Sequence, residues 1–399
     1  MISVGIDVSK EKSTICIMKP YGEIVSSPFE INHTEKDLSE VVSMLKRLDD
    51  EVRIVMEATG GYHFPILTYF IEEDLYVCVI NPLVMKKYAS TVLRKGKTDK
   101  LDAIKIANYG IDNWYHLEKY KVNEERYEQL RLLGRQYAHY MKLKIDSKLA
   151  LTNILDRTMP KIKTLLKNRC DNPEMDKLND FVEEYWHFDN ITSKSEEEFI
   201  ESYLEWAKNK GYHQSKAKAI SIYALAKEGI PTLSSKIPLT KIMVLEAVRV
   251  LKEIDKTLDK ILTQMQEIAK SLKEYSVVRA MNGVGDKLAP RLMAEIGDVR
   301  RFHSGKALIA YAGIDAPPFQ SGLFNSTHRK ISKRGSSTLR KTGYEVMKCL
   351  KTSKPQDDAV YLFMMKKEKE GKAPKVAKIA GLNKFLKIYY ARVKSVYDN

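Results

Sequence analysis

Two groups of residues in this chain have the types and spacing to act on phosphate. The first is the stretch Gln320–Lys341, Q-S-G-L-F-N-S-T-H-R-K-I-S-K-R-G-S-S-T-L-R-K. Arg329, Lys330, Lys333, Arg334, Arg340 and Lys341 are interleaved there with the hydroxyls of Ser321, Ser326, Ser332, Ser336 and Ser337, and no acidic residue lies between Asp315 and Glu345. Such a run serves elsewhere as a solvated loop, but dense cations and hydroxyls also suit a phosphate backbone. The second group is four carboxylates. Asp7 lies inside the β-rich run I-S-V-G-I-D-V, where Asp is disfavoured and a buried carboxylate wants a cation. Glu57 ends the apolar run Val52–Met56 just before Gly60-Gly61. Asp99 and Asp102 are three apart and so share a helical face, where Asp99 also complements the helix dipole. Together the four have the layout of a two-metal phosphoryl-transfer site, with ions about 3.5–4 Å apart. Magnesium suits all-oxygen ligands.

The elements around the carboxylates read as an α/β layer over residues 1–120. Ile2–Val8 and Ser13–Met18 form a hairpin whose turn carries Lys10, and Pro20-Tyr21-Gly22 makes the next turn. Asp37–Leu48 is an amphipathic helix, Val52–Met56 a strand, Tyr62–Glu72 a helix and Tyr76–Ile80 a strand. Thr98 is placed to cap the helix bearing Asp99 and Asp102.

Residues 121–275 are helical. Glu124–Met159 is one long basic pattern without proline. A small insert, Asp171–Glu205, is strongly acidic and repels nucleic acid; Trp186, Tyr203 and Trp206 supply its core. Val244, Ala247, Leu251, Ile254, Leu258, Ile261, Met265, Ile268, Leu272 and Tyr275 alternate three and four apart, a coiled-coil seam. That seam must bury against the Glu124 helix or against a second copy of the chain. Residues 276–399 are mainly helical and open with a helix, the turn Gly283-Val284-Gly285 and a second helix carrying Lys287 and Arg291. This is a helix-hairpin-helix pattern, whose turn amides face a phosphate.

The 399 residues carry 67 Lys and Arg against 52 acidic residues, a net charge of +15, which points to a polyanion. No apolar run is long enough to span a bilayer and no signal peptide precedes Gly5, so the expected location is cytoplasmic and nucleoid-associated, with no membrane partner. The four cysteines and eight histidines lack metal-ligand spacing, and no phosphate-binding loop of the G-x-x-x-x-G-K-[ST] type occurs.

G-I-D-V-S-K, M-E-A-T-G-G-Y-H and K-T-D-K-L-D-A, together with A-Y-A-G, Q-S-G and I-S-K-R-G-S-S-T-L-R, resemble the DEDD transposases of bacterial insertion sequences, the insertion-sequence-110 family. The resemblance implies a RuvC-like, ribonuclease H-like N-terminal domain, a long helical coiled-coil linker and a C-terminal transposase domain. It implies metal binding by Asp7, Glu57, Asp99 and Asp102, and a catalytic serine at Ser321 that forms a serine–DNA phosphodiester. It also implies homo-oligomerisation through the coiled coil as a dimer or tetramer, donor and target DNA as substrates, and a structured non-coding guide RNA. The competing expectations are a metal-dependent RuvC-like junction or RNA nuclease with water as nucleophile, and a non-catalytic nucleic-acid scaffold. A sugar kinase, suggested by G-I-D-V-S alone, lacks the phosphate loops.

Overall fold

Ile2, Val4, Ile6 and Val8 alternate with Ser3, Gly5 and Asp7, so strand β1 (Ile2–Val8) has one apolar face and one small or polar face. The computed structural model describes residues 1–58, 60–90, 98–120, 124–166, 175–316, 320–321, 324–325 and 330–398. In it β1 pairs antiparallel with β2 (Lys12–Met18) and parallel with β4 (Val52–Glu57). Strand β3 (Ile24–Asn32) is antiparallel to β2, and β5 (Val77–Ile80) is parallel to β4. The order β3-β2-β1-β4-β5, with an antiparallel half and a parallel half, is the sheet a ribonuclease H-like domain requires. Residue patterning ends the opening hairpin at Pro20-Tyr21-Gly22 and gives no sign of β3. That strand is largely exposed and holds Pro28, as edge strands do, so it lacks the apolar alternation of its neighbours.

The apolar face of β1 packs with α1 (Glu35–Lys46) and α2 (Phe64–Glu72), through Leu38, Val41, Leu45, Ile66 and Phe70. The other face receives α4 (Asp99–Asp112), beyond α3 (Pro82–Ala89) in sequence.

The chain divides into two compact units, Met1–Val122 and Asn123–Asn399. The second contains two long helices, α5 (Glu125–Thr158) and α11 (Pro238–Lys270), that lie antiparallel. Leu151 and Leu155 of α5 share a core with Val244, Val248 and Leu251 of α11. At the other end Tyr127 and Leu130 meet Met265, Ala269 and Leu272. The apolar stripe of α11 is therefore covered by α5 of the same chain. Its buried residues are not quite those of the alternating seam: Val248, Leu262 and Ala269 are buried, whereas Ala247, Ile261 and Ile268 are only partly covered.

Between the long helices lie α6 (Ile162–Leu165), α7 (Lys177–Glu184), α8 (Asp189–Thr192), α9 (Glu196–Asn209) and α10 (Lys216–Glu228). Phe181, Phe188, Phe199 and Tyr203 fill this body and Trp206 is buried with them. Part of its acidity serves helix ends: Asp176 caps α7, and Ser195 with Glu198 forms a capping box on α9.

The remaining helices are α12 (Tyr275–Arg279), α13 (Leu288–Ile296), α14 (Gly305–Ala312), α15 (Ser337–Ser353), α16 (Ala359–Lys369) and α17 (Pro374–Asp398). A short hairpin of β6 (Gln320–Ser321) and β7 (Phe324–Asn325) lies between α14 and α15. The Glu274 carboxylate, 1% exposed, accepts hydrogen bonds from Tyr127 at 2.6 Å and Tyr397 at 2.5 Å, tying α5 and α17 to the start of α12. No helix among the described residues is long and apolar enough to cross a membrane.

Candidate active site and nucleic-acid interface

The carboxylate site starts from two glycines. A Cβ on Gly5 would lie 2.2 Å from the Ala107 amide nitrogen and 2.3 Å from the Ala103 carbonyl oxygen. A Cβ on Gly110 would lie 2.1 Å from Ser3 Oγ. Helix α4 thus presses its backbone onto β1 and runs opposite to it, with Gly110 over Ser3 and Ala103–Ala107 over Gly5. Its N-terminus, with Asp99 and Asp102, then lies toward the Asp7 end of the strand. Asp7 is on the α4 side because it alternates with the buried Ile6 and Val8.

The parallel register Ile6↔Met56 brings Asp7 and Glu57 alongside on neighbouring strands, about 4.8 Å apart. Thr98 caps α4 as expected, accepting from the Leu101 amide at 3.2 Å. Glu30 raises the pKa of Lys12 by a hydrogen bond and its charge, and the charge of Asp99 adds to that rise. Asp102 pairs with Lys105 at 2.8 Å, both side chains partly exposed. The fold therefore turns the N-terminus of α4, with Asp99 and Asp102, toward the sheet edge that bears Asp7 and Glu57.

Carboxylate oxygens are the donors a hard divalent cation takes. In this conformation, however, no group of three or more His, Cys, Asp or Glu among the described residues is close enough to hold a metal. Lys105 holds Asp102 in the meantime.

In the second unit, Ser321 is placed by its backbone, paired with Phe324 in the β6–β7 hairpin. Arg329 lies outside the described residues. The feet of the segment are tied together. Ser332 donates its amide to the Asp315 carbonyl at 2.8 Å, and its hydroxyl hydrogen-bonds the Asp315 carboxylate. Lys333, at φ 54°, donates its amide to the Gly313 carbonyl at 3.0 Å. Gly335 is needed for this approach, since a Cβ there would lie 2.1 Å from the Tyr311 carbonyl oxygen. Arg340 Nη1 donates to the carbonyls of Ala312 at 2.9 Å and Gly335 at 3.1 Å. Ser336 caps α15 and donates its hydroxyl to Glu295 at 2.7 Å.

These ties sort the expected nucleic-acid residues. Lys10, Lys287, Lys330, Lys333, Arg334 and Lys341 are exposed. Arg340 spends Nη1 on the backbone, and Arg291 pairs with Glu345 at 2.7 Å while lying 5.1 Å over the Tyr137 ring. The Asp315–Ser332 and Glu295–Ser336 contacts had no signal in residue spacing. They depend on the glycine approach, which only the fold reveals.

The turn at Gly283 faces inward and outward at once. Gly283, at φ 79°, is pressed to 2.8 Å of Leu350, counted from where its Cβ would be, whereas a Cβ on Gly285 would meet nothing within 4 Å. Lys287 precedes α13 without a side-chain cap on its amides. A groove of about 990 Å³ runs past Gly283, Gly285, Lys287, Arg291 and Lys348.

Comparison with known proteins identifies the family. Residues 4–160 match the DEDD transposase model of the IS110 type, and residues 275–362 match the transposase model of the IS116/IS110/IS902 family. The chain is similar to the pilin gene-inverting proteins of Moraxella lacunata and Moraxella bovis, each 23% identical over 343 residues, covering 86% of this chain and 80% of theirs. Among solved structures it is similar to Thermus thermophilus RuvC in complex with a Holliday junction substrate, at 12% identity and a TM-score of 0.23, covering 29% of this chain and 96% of that one. The two models together span residues 4–160 and 275–362, and the chain belongs to the IS110 family of transposases.

Proposed function

We propose that this transposase cuts and rejoins DNA through a covalent bond between Ser321 and the DNA backbone. The observation that carries the reading is the carboxylate edge, Asp7 and Glu57 on adjacent parallel strands beneath the N-terminus of α4, in a chain that also bears the basic Ser321 segment. The name of the Moraxella relatives, gene inversion, describes a reaction that breaks and remakes DNA strands.

In the proposed step the Ser321 hydroxyl attacks a backbone phosphorus. The Oγ–P bond forms, the P–O bond to the neighbouring nucleotide breaks, and the serine proton passes to a base while the leaving oxygen is protonated. A free hydroxyl end of another strand reverses the step and releases the serine, so no nucleotide triphosphate is consumed. Two magnesium ions at Asp7, Glu57, Asp99 and Asp102 would offset the phosphoryl charge under attack. For Asp102 to join them, its pair with Lys105 must open. Exposed Lys330, Lys333 and Arg334 hold the backbone near the hairpin as point charges. Donor and target DNA, a structured guide RNA that pairs with both, and an oligomer that joins carboxylates and serine from different subunits belong to the same proposal. Basic surface suits RNA and DNA alike.

A strand-cutting assay on DNA tests it. Ser321→Ala and Asp7→Asn should each abolish cutting, and added magnesium should partly rescue only a weakened carboxylate variant. If Ser321→Ala cuts like the wild type, water is the nucleophile and the protein acts as a metal-dependent nuclease.

A further inference from the structure

The last helices carry a charge that neither the carboxylate edge nor the Ser321 segment uses. Residues 366–394 hold ten lysines and arginines against Glu368 and Glu370, and they lie beyond the family match ending at residue 362. Both glutamates are spoken for: Glu368 pairs with Lys351 at 2.5 Å and Glu370 with Lys367 at 2.6 Å. Lys366, Lys369, Lys372, Lys375 and Lys387 are exposed.

A charge run alone is usually a solvated face, but here part of it is fixed in place. Lys348 and Lys378 lie 5.5 and 5.6 Å from the Tyr344 ring centroid, linking α15 to α17. Lys367 and Lys384 lie 5.4 and 5.1 Å from the Phe363 ring centroid, linking α16 to α17. Each ring attracts two ammonium groups that would otherwise repel. The lysines are thus held on packed helices at a reduced entropy cost for meeting an anion.

We propose that the face built by α15, α16 and α17 binds the phosphate backbone of duplex DNA without reading its sequence. Nine of the ten cations in 366–394 are lysines. Lysine acts on phosphate as a point charge, whereas base readout favours the forked donors of arginine. Single-stranded nucleic acid is held by open aromatic rings on which bases stack. Tyr344 and Phe363 instead lie under lysine ammoniums. The choice of DNA rests on the proposed recombinase reading.

The test is equilibrium binding of the full chain to a labelled random-sequence DNA duplex over a series of salt concentrations, without divalent metal and with Ser321→Ala as the background. The result is then independent of which group is the nucleophile. Two double variants are compared, Lys378→Gln with Lys384→Gln, and Lys372→Gln with Lys375→Gln. The second pair is exposed and packs on no ring, so its folding is not at risk. Each should flatten the log–log salt slope by about 0.9 for every phosphate no longer neutralised. Unchanged duplex slopes in both variants overturn the proposal. It is equally overturned if the slope flattens for an RNA hairpin or single-stranded DNA of equal length but not for the duplex.

Discussion

Gly5 and Gly110 decide how close the carboxylates come, because they let α4 lie directly on the sheet. A methyl group on Gly5 would meet backbone atoms of Ala103 and Ala107 at 2.2–2.3 Å, and backbone cannot swing aside as a side chain can. Gly5→Ala should therefore destabilise the N-terminal unit by about 1–3 kcal/mol, as overpacking does. Chemical denaturation should show a lower midpoint at the same slope, and a stability equal to wild type would mean α4 does not sit this tightly. At this scale the sequence was informative wherever a rule is local. Asp7 in a strand, Glu57 at a strand end and the Thr98 cap all follow from near neighbours. The bond from Ser332 to Asp315 spans 17 residues and depends on a glycine–carbonyl approach, so neither spacing nor composition reveals it.

Among the elements, the α5–α11 pair shows how a periodic pattern can be right in kind and shifted in face. Val244, Leu251, Leu258, Met265 and Leu272, seven apart, are all buried as the seam requires. The companion line is Val248, Leu262 and Ala269, one residue beyond the expected Ala247, Ile261 and Ile268. Asp255 interrupts that line and pairs with Lys144 of α5, and there Ile254 takes the burial instead. Because α5 covers this stripe within the chain, Leu251→Ala should cost about 2–5 kcal/mol of folding stability. A loss under 1 kcal/mol in urea denaturation would contradict the burial. The second element-level prediction concerns the feet of the Ser321 segment. Ser332→Ala removes the hydroxyl bond to Asp315, and Ser332→Thr keeps one. Hydrogen exchange at the Ser332 and Lys333 amides should quicken in the alanine variant and stay near wild type in the threonine variant. Equal protection in all three proteins would mean the hydroxyl contributes nothing to the tie.

Over the whole molecule, carboxylates and serine belong to different compact units, and the proposed reaction needs both. The N-terminal sheet was legible because alternation and strand ends are strong signals. Strand β3 was not, being an exposed edge with Pro28. The C-terminal part was legible as motifs more than as a fold, since its core is assembled from α5, α11 and α17, which are distant in sequence. The proposed covalent serine–DNA bond is tested by mass spectrometry of peptides from protein trapped on DNA midway through the reaction, after nuclease digestion. A nucleotide mass should appear on the peptide containing Ser321 and be absent from Ser321→Ala and from Asp7→Asn protein. Cut DNA with no nucleotide on any peptide, or a nucleotide on Ser332 or Ser336 instead, would contradict it.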